Sequence, residues 1–186
     1  MSILLFQGDL NQQKSASLHQ VVTYFQQQLL TKTDEAVEVY RLADADIPFF
    51  TPHHPQPPAA VAPLLDTFQQ AEWQLWFTPL YHGSLTGAMK NALDWLQFTS
   101  QATPPYLTDK YVGLVSLSEG LQAMQGINAM EAVAKSLRAW VLPFSVPIQR
   151  SQLWDESGQL SDLYRAKCDQ LTDLLVAQIP SSQSVG

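Results

Sequence analysis

The run Trp73-Gln74-Leu75-Trp76-Phe77-Thr78-Pro79-Leu80-Tyr81-His82-Gly83-Ser84-Leu85-Thr86-Gly87-Ala88-Met89-Lys90-Asn91-Ala92-Leu93-Asp94-Trp95-Leu96 decides the fold. Trp73 to Thr78 is an apolar, aromatic stretch bounded by a proline, the pattern of a buried strand. Pro79 fixes φ and lacks a donor, so it is expected to stop that strand. A turn with glycines at 83 and 87 follows, and Leu85, Met89, Ala92, Leu93 and Leu96 then recur at helical spacing. Both glycines are expected to supply backbone freedom or close approach. Strand, glycine-bearing turn and helix form the unit that places ligands at the carboxyl ends of strands in open α/β sheets.

The rest of the chain repeats this alternation. Ser2 to Phe6 is a short apolar run, expected to be a buried first strand. After the polar loop Gly8 to Ser17, Leu18, Val21, Val22, Phe25 and Leu29 mark one apolar helical face. Val37 to Leu42 reads as a second strand. Asp44 to Pro58 carries five prolines and the pair His53-His54, which suits neither ladder nor helix. A helix is expected over Ala59 to Gln70, with Pro58 near its first turn. Lys110 to Leu117 reads as a fourth strand, Ala123 to Trp140 as mostly helix, Phe144 to Gln149 as a fifth, edge strand containing Pro147, and Leu160 to Ile179 as a last amphipathic helix. One domain over 1–186 is expected, with 180–186 as a flexible tail. Five strands alternating with helices predict a doubly wound parallel sheet with helices on both faces, and two strand orders remain open at this point.

Composition narrows the function classes. Ten Lys and Arg against 17 Asp and Glu give a net charge of −7, with no basic run, which argues against a nucleic-acid or anionic-membrane surface. Cys168 is the sole cysteine, so no internal disulfide is possible, and with no secretory signal or spanning apolar run a cytoplasmic location is expected. No metal-ligating set, nucleophile–base pair or phosphate-binding Gly/Lys loop stands out, so no catalytic and no metal residue is nominated. Lys90 and Asp94 are four apart, the spacing of an ordinary intrahelical ion pair, and Trp95 reads as packing.

The central stretch resembles the T-P-x-Y-N-G-S-x-P-G-x-L-K-N-A-x-D-W segment of the NAD(P)H-dependent FMN reductases, a family of flavodoxin-like flavin, quinone and azo reductases. Thr78, Pro79, Tyr81, Gly83, Ser84, Gly87, Lys90, Asn91, Ala92, Asp94 and Trp95 match it. Leu80, His82 and Thr86 depart from it. The resemblance implies a flavodoxin-like sheet of order 2-1-3-4-5. It also implies FMN over the strand ends, NAD(P)H as hydride donor, a small-molecule electron acceptor, and a homodimer or homotetramer.

It further implies three converging loops. In the first the family writes G-S-x-R-x-x-S around the FMN phosphate. Here Gly8 is kept, Asp9 and Asn11 stand in place of Ser and Arg, and Ser15 or Ser17 is expected to cap the helix and offer a hydroxyl. In the second, Pro79, Leu80, Tyr81, His82, Gly83 and Ser84 are the candidates, with Tyr81 against the ring and backbone amides at its polar edge. In the third, Ser118, Glu119 and Gly120 face the ring, with Glu119 where glycine is usual. A carboxylate 4 Å from a phosphate charge repels it by about 1 kcal/mol in water and by more in a sheltered pocket. FMN remains the expected cofactor, but Asp9 and Glu119 count against tight binding and keep open an alternative, a flavodoxin-like binding or interaction protein whose flavin site is weak or lost. The proline-rich loop is expected to be either disordered or a lid, and as a lid it would bring Phe49 and Phe50 over the ring.

Overall fold

The computed structural model describes residues 2–180, so the terminal segment expected to fray lies almost entirely outside the described residues. Among the described residues, β1 (Ser2–Gln7), α1 (Ser17–Lys32), β2 (Ala36–Arg41), α2 (Ala62–Gln70), β3 (Ala71–Pro79), α3 (Gly87–Asp94), β4 (Tyr111–Ser118), α4 (Ala123–Ser136), β5 (Trp140–Val141), β6 (Val146–Gln149) and α5 (Asp162–Val176) follow in order. The strands form one parallel sheet, β2-β1-β3-β4, with β5 and β6 both on the outer edge of β4. This is the order 2-1-3-4-5, with the fifth position filled by two short segments.

Alternation along the strands explains the two-sided core. Ile3, Leu5, Trp73, Leu75 and Phe77 point to the face covered by α1 and α5. Leu4, Phe6 and Trp76 point to the face covered by α2, α3 and α4. Because β1, β3 and β4 are covered on both faces, they read as mostly continuous apolar runs, whereas the edge strand β2 is only partly buried and alternates. All five apolar positions expected for the first helix are buried.

Several boundaries differ from expectation, each for a local reason. α2 begins at Ala62 and carries Pro63, not Pro58, in its first turn. Pro79 does end β3 as expected, though as the strand's own last residue, paired with Leu117, and β3 starts earlier than expected, at Ala71. α4 stops at Ser136 instead of running to Trp140, because Arg138 adopts φ +71° and Ala139 N–H turns back to the Ala134 carbonyl. That is a left-handed helix stop made without glycine. The fifth strand is split around Pro143, with Trp140 and Val141 pairing with Tyr111 and Val112, and Val146 to Gln149 pairing with Val115 to Ser118. Pro147 sits on that edge segment, where its missing donor is tolerated.

The central turn is now explicable. Tyr81 and Ser84 exchange both backbone hydrogen bonds, and between them His82 and Gly83 have φ of +48° and +79°. Two consecutive positive φ values are the mark of a type I′ turn. Histidine tolerates this region better than most side chains, so His82 keeps the turn that the family writes with Asn. Gly87, by contrast, has no positive φ and nothing within 4 Å of a notional Cβ, whereas a Cβ on Gly8 would overlap the Met89 side chain. Gly8→Ala is therefore expected to lower the unfolding free energy by about 1–3 kcal/mol. Gly87→Ala should change it by no more than about 1 kcal/mol, in the stabilising direction. Urea denaturation of the two variants checks the contrast.

Candidate functional site

Parallel strands send all their carboxyl ends to one edge, and there the exits of β1, β3 and β4 meet. The exits are joined by hydrogen bonds: Gly8 N–H donates to the Phe77 carbonyl (2.8 Å) and Leu80 N–H to the Leu117 carbonyl (2.7 Å). Between them lies a cleft of about 380 Å³, within the range that holds small cofactors. Asp9, Asn11, Ser15 and Ser17 of the first loop line it. Pro79 and Tyr81 come from the second, and Glu119 from the third. Tyr81 presents a flat ring that is 63% exposed.

The other sequence candidates support the cleft without lining it. Gly8 and Ser118 are buried, and the Ser118 hydroxyl donates to the Gly120 carbonyl. Leu80 turns toward α4, its Cδ1 close to Gly126, and its amide is spent on Leu117. The Tyr81 amide is spent on Ser84, so of the expected backbone donors His82 and Gly83 remain. Neither Ser15 nor Ser17 caps α1. Its N-cap is Ala16, with no side-chain cap.

The charges differ most from expectation. Asp9 is buried, and its Oδ1 accepts a hydrogen bond from Gln7 Nε2 (2.8 Å). Gln7 Oε1 in turn lies 3.2 Å from His19 Nδ1. Burial pushes the Asp9 carboxyl above its ordinary value, and the Gln7 hydrogen bond and the Arg41 charge offset part of that rise. Burial holds the His19 ring below its ordinary value, helped by the positive charges of Arg41 and Lys14. Arg41, at the end of β2, donates from Nη2 to the Asn11 carbonyl (3.2 Å) and from Nη1 to Asp44 (3.0 Å). Glu119 does not face the cleft as a lone acid, because Arg150 Nη1 donates to its Oε1 at 2.6 Å. Arg150 also lines the cleft.

Arg150 and Arg41 are the residues that sequence reasoning missed. Both stand just at or past strand ends, on β6 and β2, and the rule that ligands lie outside the carboxyl ends of strands points to those positions too. The proline-rich segment also departs from the lid expectation. Asn91 Nδ2 and Trp95 Nε1 both donate to the Pro48 carbonyl (2.9 Å each), and Phe50 N–H donates to Asn91 Oδ1 (2.8 Å). Phe50 packs edge-on against buried Trp95 at 5.2 Å, away from the cleft. Phe49 is 88% exposed and lines a separate apolar groove with Leu10 and Ile47. His54 packs beside Trp95 as well. Lys90 and Asp94 form the expected intrahelical ion pair. Cys168 is buried, its thiol pushed up by burial to about 12, which leaves it unreactive.

Comparison with known proteins agrees with this geometry. Residues 1–152 match the model of the NADPH-dependent FMN reductase family. The chain is 25% identical over 175 residues to the NADPH-dependent FMN reductase ArsH of Acidithiobacillus ferrooxidans, covering 93% of this chain and 70% of that relative. It is 32% identical over 141 residues to the NADH:(hydroxy)cinnamate reductase subunit CrdA of Vibrio ruber, covering 73% and 67%. With an ArsH of Rhizobium meliloti included, the chain spans 63–70% of the length of these relatives. Among solved structures, the apo NADH:FMN oxidoreductase EmoB superposes with a TM-score of 0.75 at 18% identity, covering 98% of this chain and 92% of that one. The NAD(P)H:acceptor oxidoreductase FerB of Paracoccus denitrificans gives 0.73 at 20%, covering 95% of each. These two show the shared flavodoxin-like fold. With a family match across most of its length and three strand exits closed into one cleft, the chain belongs to the NADPH-dependent FMN reductase family, oxidoreductases that use FMN with NAD(P)H as reductant.

Proposed function

We propose that the cleft between the β1, β3 and β4 exits seats FMN, and that the protein uses NAD(P)H to reduce a small acceptor such as a quinone, an azo compound or free flavin. The convergence of those three exits around the exposed Tyr81 ring carries this reading. Bound FMN would supply the hydride relay between reductant and acceptor, so the protein needs no acid–base pair of its own. Its residues bind and orient. The uncapped first turn of α1 leaves amide donors and the positive end of the helix dipole for the phosphate, with the Ser15 and Ser17 hydroxyls beside it. Tyr81 supplies a flat packing surface, and the rigid turn behind it offers the amides of His82 and Gly83 to the polar edge of the ring.

Among the described residues no helix is long and apolar enough to cross a membrane. A cytoplasmic location fits that and the unpaired cysteine. We also infer a homodimer or homotetramer, in which a second copy covers the apolar groove at Leu10 and Phe49.

Titration of apoprotein with FMN, followed by flavin fluorescence, tests the assignment. Wild type should saturate at one flavin per chain, and Tyr81→Ala should weaken binding about three- to tenfold through loss of aromatic packing. Asp9→Ser should tighten it by removing a carboxylate beside the phosphate loop. If saturating FMN leaves both fluorescence and melting temperature unchanged, the assignment is wrong.

Asp9 also sets a pH dependence in the flavin-free protein. Its folded carboxyl titrates above the ordinary value of 3.8, so the folded state holds the proton more tightly than the unfolded chain. Stability from this group is therefore present below the ordinary value and is lost as pH rises through the raised one. Asp9→Asn should accordingly raise the melting temperature at pH 7, and this gain should fade as pH falls toward 4. A gain independent of pH would show that Asp9 is not the titrating group.

A further inference from the structure

We propose that Arg150 is the phosphate anchor of the cleft, exchanging Glu119 for the FMN phosphate when the cofactor binds. This rests on the flavin reading above. The register pairs Ser118 of β4 with Gln149 of β6, which sets the next residues, Glu119 and Arg150, side by side at the mouth. Among the described residues lining the cleft, Arg150 is the only cation, and it stands with two acids, Asp9 and Glu119. The other nearby cations are placed elsewhere. Arg41 is held by Asp44 and the Asn11 carbonyl and does not line the cleft. Lys14 lines the neighbouring groove along α1.

The Glu119 contact is of a kind that exchanges easily. Its side chain is 78% exposed and that of Arg150 is 54% exposed, so water and salt screen the pair, and such pairs contribute little. A phosphate brings more charge and more acceptor oxygens, matched to the planar guanidinium fork, in a cleft partly closed to water. The backbone beneath need not move. Gln149 N–H is fixed to the Tyr164 hydroxyl at 2.8 Å, so Arg150 has only to swing its side chain while Glu119 returns to solvent. Glu119 is thus the resident counter-ion, holding Arg150 at the cleft mouth and competing with the ligand for it.

Binding of FMN and of riboflavin, which lacks the phosphate, separates this role from general effects. Apoprotein is titrated with each flavin for wild type, Arg150→Gln, Glu119→Gln and the double variant, with apoprotein melting temperatures as a folding control. Arg150→Gln should lose at least about tenfold in FMN affinity, as expected for a charge-assisted contact, while riboflavin changes by less than about twofold. Glu119→Gln should gain about two- to fivefold for FMN only, and that gain should vanish in the Arg150→Gln background. Equal losses for both flavins would overturn the proposal. So would unchanged FMN affinity accompanied by a higher KM for NADPH, which would place the guanidinium on the reductant. Wild type that binds FMN no better than riboflavin would remove the phosphate anchor but spare the flavin cleft, and wild type that binds neither would remove both.

Discussion

Thr86 ties two strand exits into one piece. Its hydroxyl donates to the Gly8 carbonyl at the end of β1 and accepts from Met89 N–H (2.9 Å), capping α3. Its own N–H donates to the Thr78 hydroxyl at the end of β3 (3.2 Å). The end of β1, the end of β3 and the first turn of α3 therefore share one buried residue, and Met89 fills the space that the missing Gly8 side chain leaves. Neither loop can shift without breaking hydrogen bonds that water cannot replace there. The Leu80–Leu117 hydrogen bond extends the same rigidity to the exit of β4. The resembling family writes proline where Thr86 stands. A threonine can take that place because the position calls for an N-cap, and a side-chain hydroxyl makes one.

This frame changes the meaning of the central motif. Thr78, Asn91 and Trp95 are among its matched positions, and each is occupied by scaffold work. Thr78 holds Thr86, while Asn91 and Trp95 clamp the Pro48 carbonyl and so fix the long proline-rich segment against α3. A segment with five prolines has few backbone donors of its own, so its placement depends on side chains reaching in from a helix. With the clamp in place Phe50 packs half-buried against the core beside Trp95, its amide held by Asn91 Oδ1, while Phe49 stands in solvent. Motif density thus reports a demand for rigidity around the cleft as much as contact with what the cleft holds.

Legibility followed the range of the interactions involved. Strands buried on both faces declare themselves by composition alone, which is why Trp73 to Phe77 and Ser2 to Phe6 could be placed from the sequence. The turn at His82-Gly83 was visible as a turn, but its positive φ at histidine was not, since only the Tyr81–Ser84 pairing demands it. Where α4 ends was hidden because Arg138 stops it in a conformation usually announced by glycine. The Glu119–Arg150 contact links residues 31 apart through a strand register, and no local pattern encodes a register. Arg41 is likewise ordinary in sequence and becomes relevant only because β2 lies next to β1.

The same reasoning bears on how a lost motif residue is weighed. Electrostatic attraction depends on distance and on the polarity of the intervening medium, not on which loop carries the charge. Reading Asp9 and Asn11 against one loop alone counts an acid gained and a base lost. In the folded chain the acid is buried against Gln7 with Arg41 nearby, and a guanidinium reaches the cleft from the opposite edge of the sheet. A doubly wound sheet makes such relocation straightforward, because every strand ends at the same rim and each exit residue is within a few strand spacings of the others. Conversely, the burial of Asp9 has a cost that a serine there would not carry, and it is offset only in part by Gln7 and Arg41. That buried carboxylate belongs to the first loop, where Asp9 and Asn11 depart from the resembling pattern, while the Thr86 junction ties the start of the same loop at Gly8 to β3 and α3.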